Sequence, residues 1–217
     1  RELVDTYDVS RPTIRDAVNI LRAEGIVISE HGRGVFVRPP ASITRLARSR
    51  LSRAARERNQ AAFIADAAAR GFTPSSSVKI SFEPADARAA AFLGISPGDE
   101  VTVRDRVMRA DGLVVQLAVS RLPREFTRGT AIEEVNTGAG GAYARLEEAG
   151  HIIGSFVEHV GSRMPTPQEA SLLQLADGVP VLTITRIAMR EDGVQLEMND
   201  MILAADRYEL TYEWEAE

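Results

Sequence analysis

Arg11, Thr13 and Arg15 stand close together in the run V-S-R-P-T-I-R, whose side chains suit the reading of nucleic acid. A guanidinium can bridge the O6 and N7 acceptors of guanine, and a hydroxyl can bond a base edge or a phosphate oxygen. Downstream, His31, Gly32, Arg33 and Gly34 form a second group, H-G-R-G. Glycine permits a tight hairpin and a close approach of backbone to sugar-phosphate, and His31 and Arg33 have the reach for a minor groove. A single histidine in a loop is usually ordinary surface, so His31 counts only as part of the group.

These side chains need a helix and a hairpin to aim them. Ser10 is a good N-cap and Pro12 is tolerated in a first turn, so a helix is predicted from there to about Glu24, with Gly25 as its stop. Ile14, Ala17, Val18 and Leu21 recur at i, i+3, i+4, i+7, so that face is expected to be buried. Arg11, Thr13 and Arg15 take the opposite face, with Asn19 further along. Leu3, Val4, Tyr7 and Val9 mark a shorter helix and turn before it. Ile26–Ser29 and Val35–Val37 read as the strands of the hairpin. Over residues 1–37 this is the order of a winged helix-turn-helix, which lays its second helix in the major groove. The motif is already under way at Arg1, so a preceding helix is expected upstream.

The net charge of −5 looks wrong for such a task, but it is unevenly spread. Residues 1–58 hold 12 Arg or Lys against 7 Asp or Glu, whereas 59–217 hold 14 against 24. A basic end on an acidic body suits a nucleic-acid module joined to a module of another kind. The absence of cysteine excludes disulfides and thiolate metal sites and suits a reducing cytoplasm. No apolar run of about 18 residues is present to span a membrane. The letters G-x-S-x-G occur at 94–98, but after an expected helix and not a strand, so they make no nucleophile elbow. Neither a P-loop nor H-E-x-x-H occurs, and His151 and His159 lack ligand partners at useful spacing. No enzyme activity, cofactor or metal is therefore expected. Residues 38–59 read as a linker: Pro39-Pro40 end the wing, and seven Arg stand against a single acidic residue, Glu57. A solvated linker or short helix is the expectation there, in preference to a phosphate-contacting arm.

The body, residues 60–217, contains a duplication. Residues 92–122 and 172–202 both run through Gly, Val-x-x-x-x-Arg, Asp-Gly and Gln-Leu. Gly98 matches Gly178, Val101 matches Val181, Arg106 matches Arg186, and Gln116-Leu117 matches Gln195-Leu196. Each Asp-Gly predicts a type I′ hairpin. A short helix is expected before each copy, near 85–93 and 167–175. Further strands are expected at Val78–Glu83, Ile152–Arg163 and Tyr208–Glu213, and helices at Gln60–Arg70 and Ala142–Ala149. The fold class is α+β: the winged helix-turn-helix, cut at its N-terminus, followed by an antiparallel sheet with helices against it.

Together R-E-L, V-S-R-P-T-I-R, L-R-A-E-G and H-G-R-G-V-F-V resemble the DNA-binding domain of GntR-type bacterial regulators. The resemblance implies DNA contacts at Arg1, Ser10, Arg11, Thr13, Arg15, His31 and Gly32, with Arg33 beside them. Pro12 replaces a common Thr or Ser contact. The body is similar to the UTRA effector-binding domain of the HutC branch, which has a chorismate-lyase-like fold. The matching pieces are R-G-F-T-P (70–74), R-x-x-R-A-D-G (106–112), S-R-L-P (120–123), A-Y-x-x-L-E-E (142–148) and A-D-R-Y (205–208). This implies a cytoplasmic, homodimeric regulator that binds a palindromic double-stranded operator, responds to a small-molecule effector and is expected to repress. A chorismate-lyase-like enzyme and a ligand-independent DNA-binding protein are the alternatives.

The resemblance also implies a ligand pocket between the two repeats. Arg106, Tyr143, Arg186 and Glu197 are its expected polar groups, and Phe63, Met108 and Leu203 its apolar lining. Members that sense phosphorylated amino sugars carry a second Arg where Met108 stands. They have a Glu at Ala118, a Ser at Gly141, a small hydroxyl residue at Ile64 and a Tyr at Leu203. A phosphate dianion wants several charge-assisted donors. The substitutions therefore favour a neutral or singly charged, partly hydrophobic effector over a phosphosugar.

Overall fold

The computed structural model describes residues 2–24, 26–30, 34–37, 43–46, 51–52, 54 and 62–214. Arg1, Gly25, His31, Gly32, Arg33 and Pro39-Pro40 lie outside the described residues.

Helices α1 (Glu2–Tyr7) and α2 (Arg11–Ala23) precede a hairpin of β1 (Val27–Glu30) and β2 (Gly34–Val37). Ser10 is the N-cap of α2: its backbone is extended and its Oγ accepts from Thr13 N at 3.3 Å. That satisfies one of the amides a helix start leaves open. β1 and β2 pair antiparallel from Val27↔Val37 to Glu30↔Gly34, as a wing requires. The apolar stripe of α2 is less covered than its spacing predicts. Ile14 and Val18 are half-buried, but Ala17 and Leu21 are exposed. Among the described residues, the short α1 and β1 make the main contacts along that helix.

The body is a six-stranded antiparallel sheet in the order β4-β5-β6-β9-β8-β7. Its strands are β4 (Pro74–Pro84), β5 (Glu100–Ala110), β6 (Leu113–Pro123), β7 (Ile153–Arg163), β8 (Val181–Arg190) and β9 (Gln195–Ala204). The duplication explains this order. Each copy is a strand, a short helix and a hairpin, and the two copies join where β6 pairs with β9. The short helices are α4 (Ala87–Leu93) and α7 (Pro167–Leu173). α3 (Ala62–Arg70), α5 (Arg124–Thr127), a 3-10 turn (Ala131–Glu133) and α6 (Gly141–Glu148) complete the helical layer.

The two Asp-Gly turns differ. Asp111 and Gly112 have φ of 49° and 83°, as a type I′ turn needs. In the second copy Gly193 (φ 87°) alone is left-handed, so the expectation of a second type I′ turn is corrected. Arg190 forks the Asp192 carboxylate, and Asp192 Oδ1 accepts from Val194 N at 3.3 Å. Those bonds hold Asp192 in a longer loop, and the β8–β9 register shifts beside it.

The segment read as a solvated linker also needs correction. Within it, β3 (Ile43–Leu46) pairs in parallel with β10 (Tyr208–Thr211). Alternation puts Ile43 and Arg45 on one face. Both are buried, at 2% and 0% exposure. Ile43 joins a cluster with Phe63, Met108, Ile184, Met201, Leu203 and Tyr208. Arg45 finds a carboxylate in Glu158, 113 residues away. No local signal in an Arg-rich stretch announces such a partner.

Candidate functional site

The structure places Ser10, Arg11, Thr13 and Arg15 at the exposed start of α2. The Ser10 and Thr13 hydroxyls also bond each other at 2.9 Å. Their first role is therefore to fix the turn that presents the two arginines. At its other end α2 meets the body: Arg22 pairs with Asp177 at 3.6 Å, with Gly178 packed on the Ala23 carbonyl.

A second site lies in the body. A cleft of about 410 Å³ opens over the face of the sheet between β5 and β8, roofed by α3 and the 135–143 segment. Phe63, Arg106, Met108, Tyr143, Arg186 and Glu197 all line it. Leu203 does not. It is fully buried behind the lining, in the cluster with Phe63 and Met108.

The sequence reading missed Arg104, Gln116, Asn199 and Met201, which also line the cleft. A signal for some of them was available. Side chains two apart on a strand share a face, so Arg104 belongs with Arg106 and Met108, and Asn199 and Met201 with Glu197. Which face meets the cleft depends on sheet register, and sequence does not supply that.

Arg104 is a strut. Its Nη1 donates to the carbonyls of Ile132 and Glu134, and its Nη2 to Val135 O at 3.3 Å, which holds the roof segment. Burial, with Arg106 nearby, lowers its pKa to about 10. Arg106 is different. Its Nη2 donates to Ser120 Oγ, its Nε has no hydrogen-bond partner, and among the described residues no carboxylate forms an ion pair with it. Burial pushes its pKa down, partly opposed by Glu197. A half-buried guanidinium with a buried, unpaired Nε and no carboxylate in direct contact is suited to an anion.

Tyr143 donates its hydroxyl to Glu197 Oε2. Burial raises the Tyr143 pKa, so the phenol stays protonated and remains a donor. Arg186 lies over the Tyr143 ring, 5.4 Å from its centroid, and 3.9 Å from Glu197. Buried acceptors without partners face the same space: Gln116 Oε1 and Asn199 Oδ1. Gly138, Gly140 and Gly141 border the cleft with φ of 75°, 79° and 71°. Gly140 caps α6 without a side-chain bond, and Gly141 N donates to the Gly138 carbonyl at 3.3 Å. Buried polar atoms are normally paired, and this many unpaired ones around one cleft mark a place for a polar ligand. Among the described residues no three metal-ligating side chains gather.

Comparison with known proteins adds the following. The family pattern of bacterial regulatory proteins of the gntR family matches residues 1–37, and that of the UTRA domain matches residues 69–209. An uncharacterised HTH-type transcriptional regulator of Streptomyces coelicolor is 31% identical over 99% of this chain and 82% of its own length. The HTH-type transcriptional repressor NagR of Bacillus subtilis is 27% identical over 96% of this chain and 81% of its own. The crystal structure of PhnF from Mycobacterium smegmatis superposes with a TM-score of 0.68 at 26% identity, covering 100% of this chain and 90% of that one.

Proposed function

The chain belongs to the gntR family of bacterial regulatory proteins, carries a UTRA domain and is a ligand-responsive transcription regulator, and we propose that it works as a repressor. It binds a palindromic operator as a homodimer in the cytoplasm, and a small effector in the cleft changes its grip on DNA. Arg11 and Arg15 read bases, with Arg1, His31, Gly32 and Arg33 as supporting contacts and Ser10 and Thr13 shaping the turn. The body from residue 60 onward holds the effector and the dimer contact, and no catalytic step is part of the scheme. A relative named as a repressor supports the sign of regulation.

The observation that carries the proposal is the cleft itself. It lies where the two repeats meet, and it holds Arg106, which has no direct ion-pair partner among the described residues, and several unpaired buried polar atoms. Apolar walls with a few convergent polar groups suit a small molecule. The preferred effector carries one negative charge and hydrogen-bond donors: the charge for Arg106 and Arg186, the donors for Gln116, Glu197 and Asn199. Met108 and Ala118 in place of charged groups disfavour a phosphosugar. A thermal-shift screen of metabolites on the protein is the test, because a ligand of the native state raises Tm. A singly charged, donor-bearing compound is the expected hit. Low-micromolar calorimetric binding of N-acetylglucosamine 6-phosphate contradicts the effector class.

A further inference from the structure

The polar floor of the cleft continues beyond the cleft. Arg104, Ser120, Asn199, Arg186 and Glu158 stand in register on β5, β6, β9, β8 and β7. Directly paired residues share a face, so these form one polar row across the sheet. Arg104, Asn199 and Arg186 border the cleft, and Glu158 at the far end does not.

Glu158 lies between two guanidiniums. On the linker side, Arg45 Nη1 donates to Glu158 Oε2 at 3.0 Å, and Arg45 Nη2 donates to Oε1. On the cleft side, Arg186 Nη1 stands 3.8 Å from Oε1. The Nε and Nη1 of Arg186 have no hydrogen-bond partner. Of these two cations, Glu158 bonds the one on the linker strand.

We propose that Arg45, which lies outside the cleft, is a positioning residue for it: by occupying both oxygens of Glu158 it leaves Arg186 available to an effector, and a bound effector in turn clamps β3 onto β10. This rests on reading the cleft as an effector site. A two-pronged guanidinium–carboxylate pair is stronger than a single contact. Without Arg45, the Glu158 side chain, 10% exposed, loses that fork beside the Arg186 cation. A buried carboxylate that loses a charged fork is strongly unfavourable, so Glu158, with Tyr212 still bonded to it, draws Arg186 toward itself and away from the cleft. Conversely, a ligand that takes Nε and Nη1 of Arg186 leaves Glu158 to Arg45. Reciprocity requires the two effects to be equal in size. β3 stands between the wing and the body in sequence, so its docking on β10 bears on how the DNA-binding part is tethered.

The test needs no ligand. Amide hydrogen exchange of β3 and β10 is measured on the whole chain. Arg186→Gln removes the competing cation and is expected to slow exchange by about tenfold, the size of one charged hydrogen bond. The same change in a Glu158→Gln background is expected to do nothing. The Arg186 Nε–H resonance reads the cleft end. It is expected to shift in Arg45→Met and to return in Arg45→Met/Glu158→Gln, where no carboxylate remains to pull on Arg186. Should Arg45→Met fail to fold, Arg45→Lys takes its place, because it keeps the charge but loses the fork. The proposal is overturned if Arg186→Gln leaves β3 exchange unchanged, or acts equally in the Glu158→Gln background. It is also overturned if the Nε–H resonance ignores the change at Arg45. Such a failure leaves the effector reading standing, since that reading is decided by the metabolite screen.

Discussion

Tyr143, at the start of α6, donates its hydroxyl proton to Glu197 on β9 across the floor of the cleft. This bond ties the roof of the cleft to the sheet. Glu197 is buried and Tyr143 half-buried, so the cost of losing the donor falls on the Glu197 carboxylate. Tyr143→Phe is expected to lower stability by about 1–2 kcal/mol. It should also weaken effector binding while leaving DNA affinity without effector unchanged. Denaturant melts and DNA titration check the two halves separately.

Arg11→Ala and Arg15→Ala are each expected to cost about 1–3 kcal/mol at a specific operator. Neither should change Tm, because both side chains are exposed at the helix start. Operator titrations of the variants check this. Parent-like affinity in both would remove α2 from the role of reading helix.

Leu203→Ala is a prediction about packing alone. The side chain is fully buried between Phe63, Met108 and Ile184. Its truncation is expected to cost about 2–5 kcal/mol. Urea unfolding measures it. A cost below about 1 kcal/mol would indicate that Leu203 faces open space, as an apolar cleft lining would.

Glu169 gives a pH dependence. It completes a capping box with Thr166 at the start of α7 and pairs with Arg163 at 2.7 Å. Arg163, then the Thr166 amide, hold its carboxyl at about 2, well below its ordinary 4.5. A lowered carboxyl pKa stabilises the fold above the unfolded value, and the gain fades as pH falls toward the folded one. The stability difference between parent and Glu169→Gln is expected to be full at neutral pH, to be about 1 kcal/mol, and to shrink between about pH 5 and pH 2. Melts across that range are the check, and a pH-independent difference contradicts it.

The body was legible because its repeats carry strong local signals. Gly98 and Gly178, the Asp-Gly turns and Arg106 and Arg186 recur in order, and the sheet joins the copies at β6 and β9. The cap at Ser10 and the helix from Arg11 were equally local. What could not be read depends on distant partners. Arg45 looks solvated until Glu158 is brought to it. Gln116 shows in the sequence only as a repeated position and Asn199 belongs to no motif; strand register turns both toward the cleft. Leu203 shares a strand face with Glu197 and Met201, yet it lies under α3, where the cleft has closed.

The homodimer is checked by sedimentation of the protein. A dimer at micromolar concentration is expected, because two-fold symmetry doubles the few base pairs that one α2 can read. A strict monomer, with and without DNA, counts against the palindrome.

The account turns on coupling between the cleft and DNA. Its most direct test is fluorescence anisotropy of labelled operator titrated with the protein, with and without a saturating amount of the compound that raises Tm. The predicted result is a change of about tenfold or more in operator Kd, within the usual range of coupling between sites. Met201→Trp, which fills the cleft, should abolish that change while operator binding without the compound persists. An operator Kd indifferent to a compound shown to occupy the cleft would contradict the account.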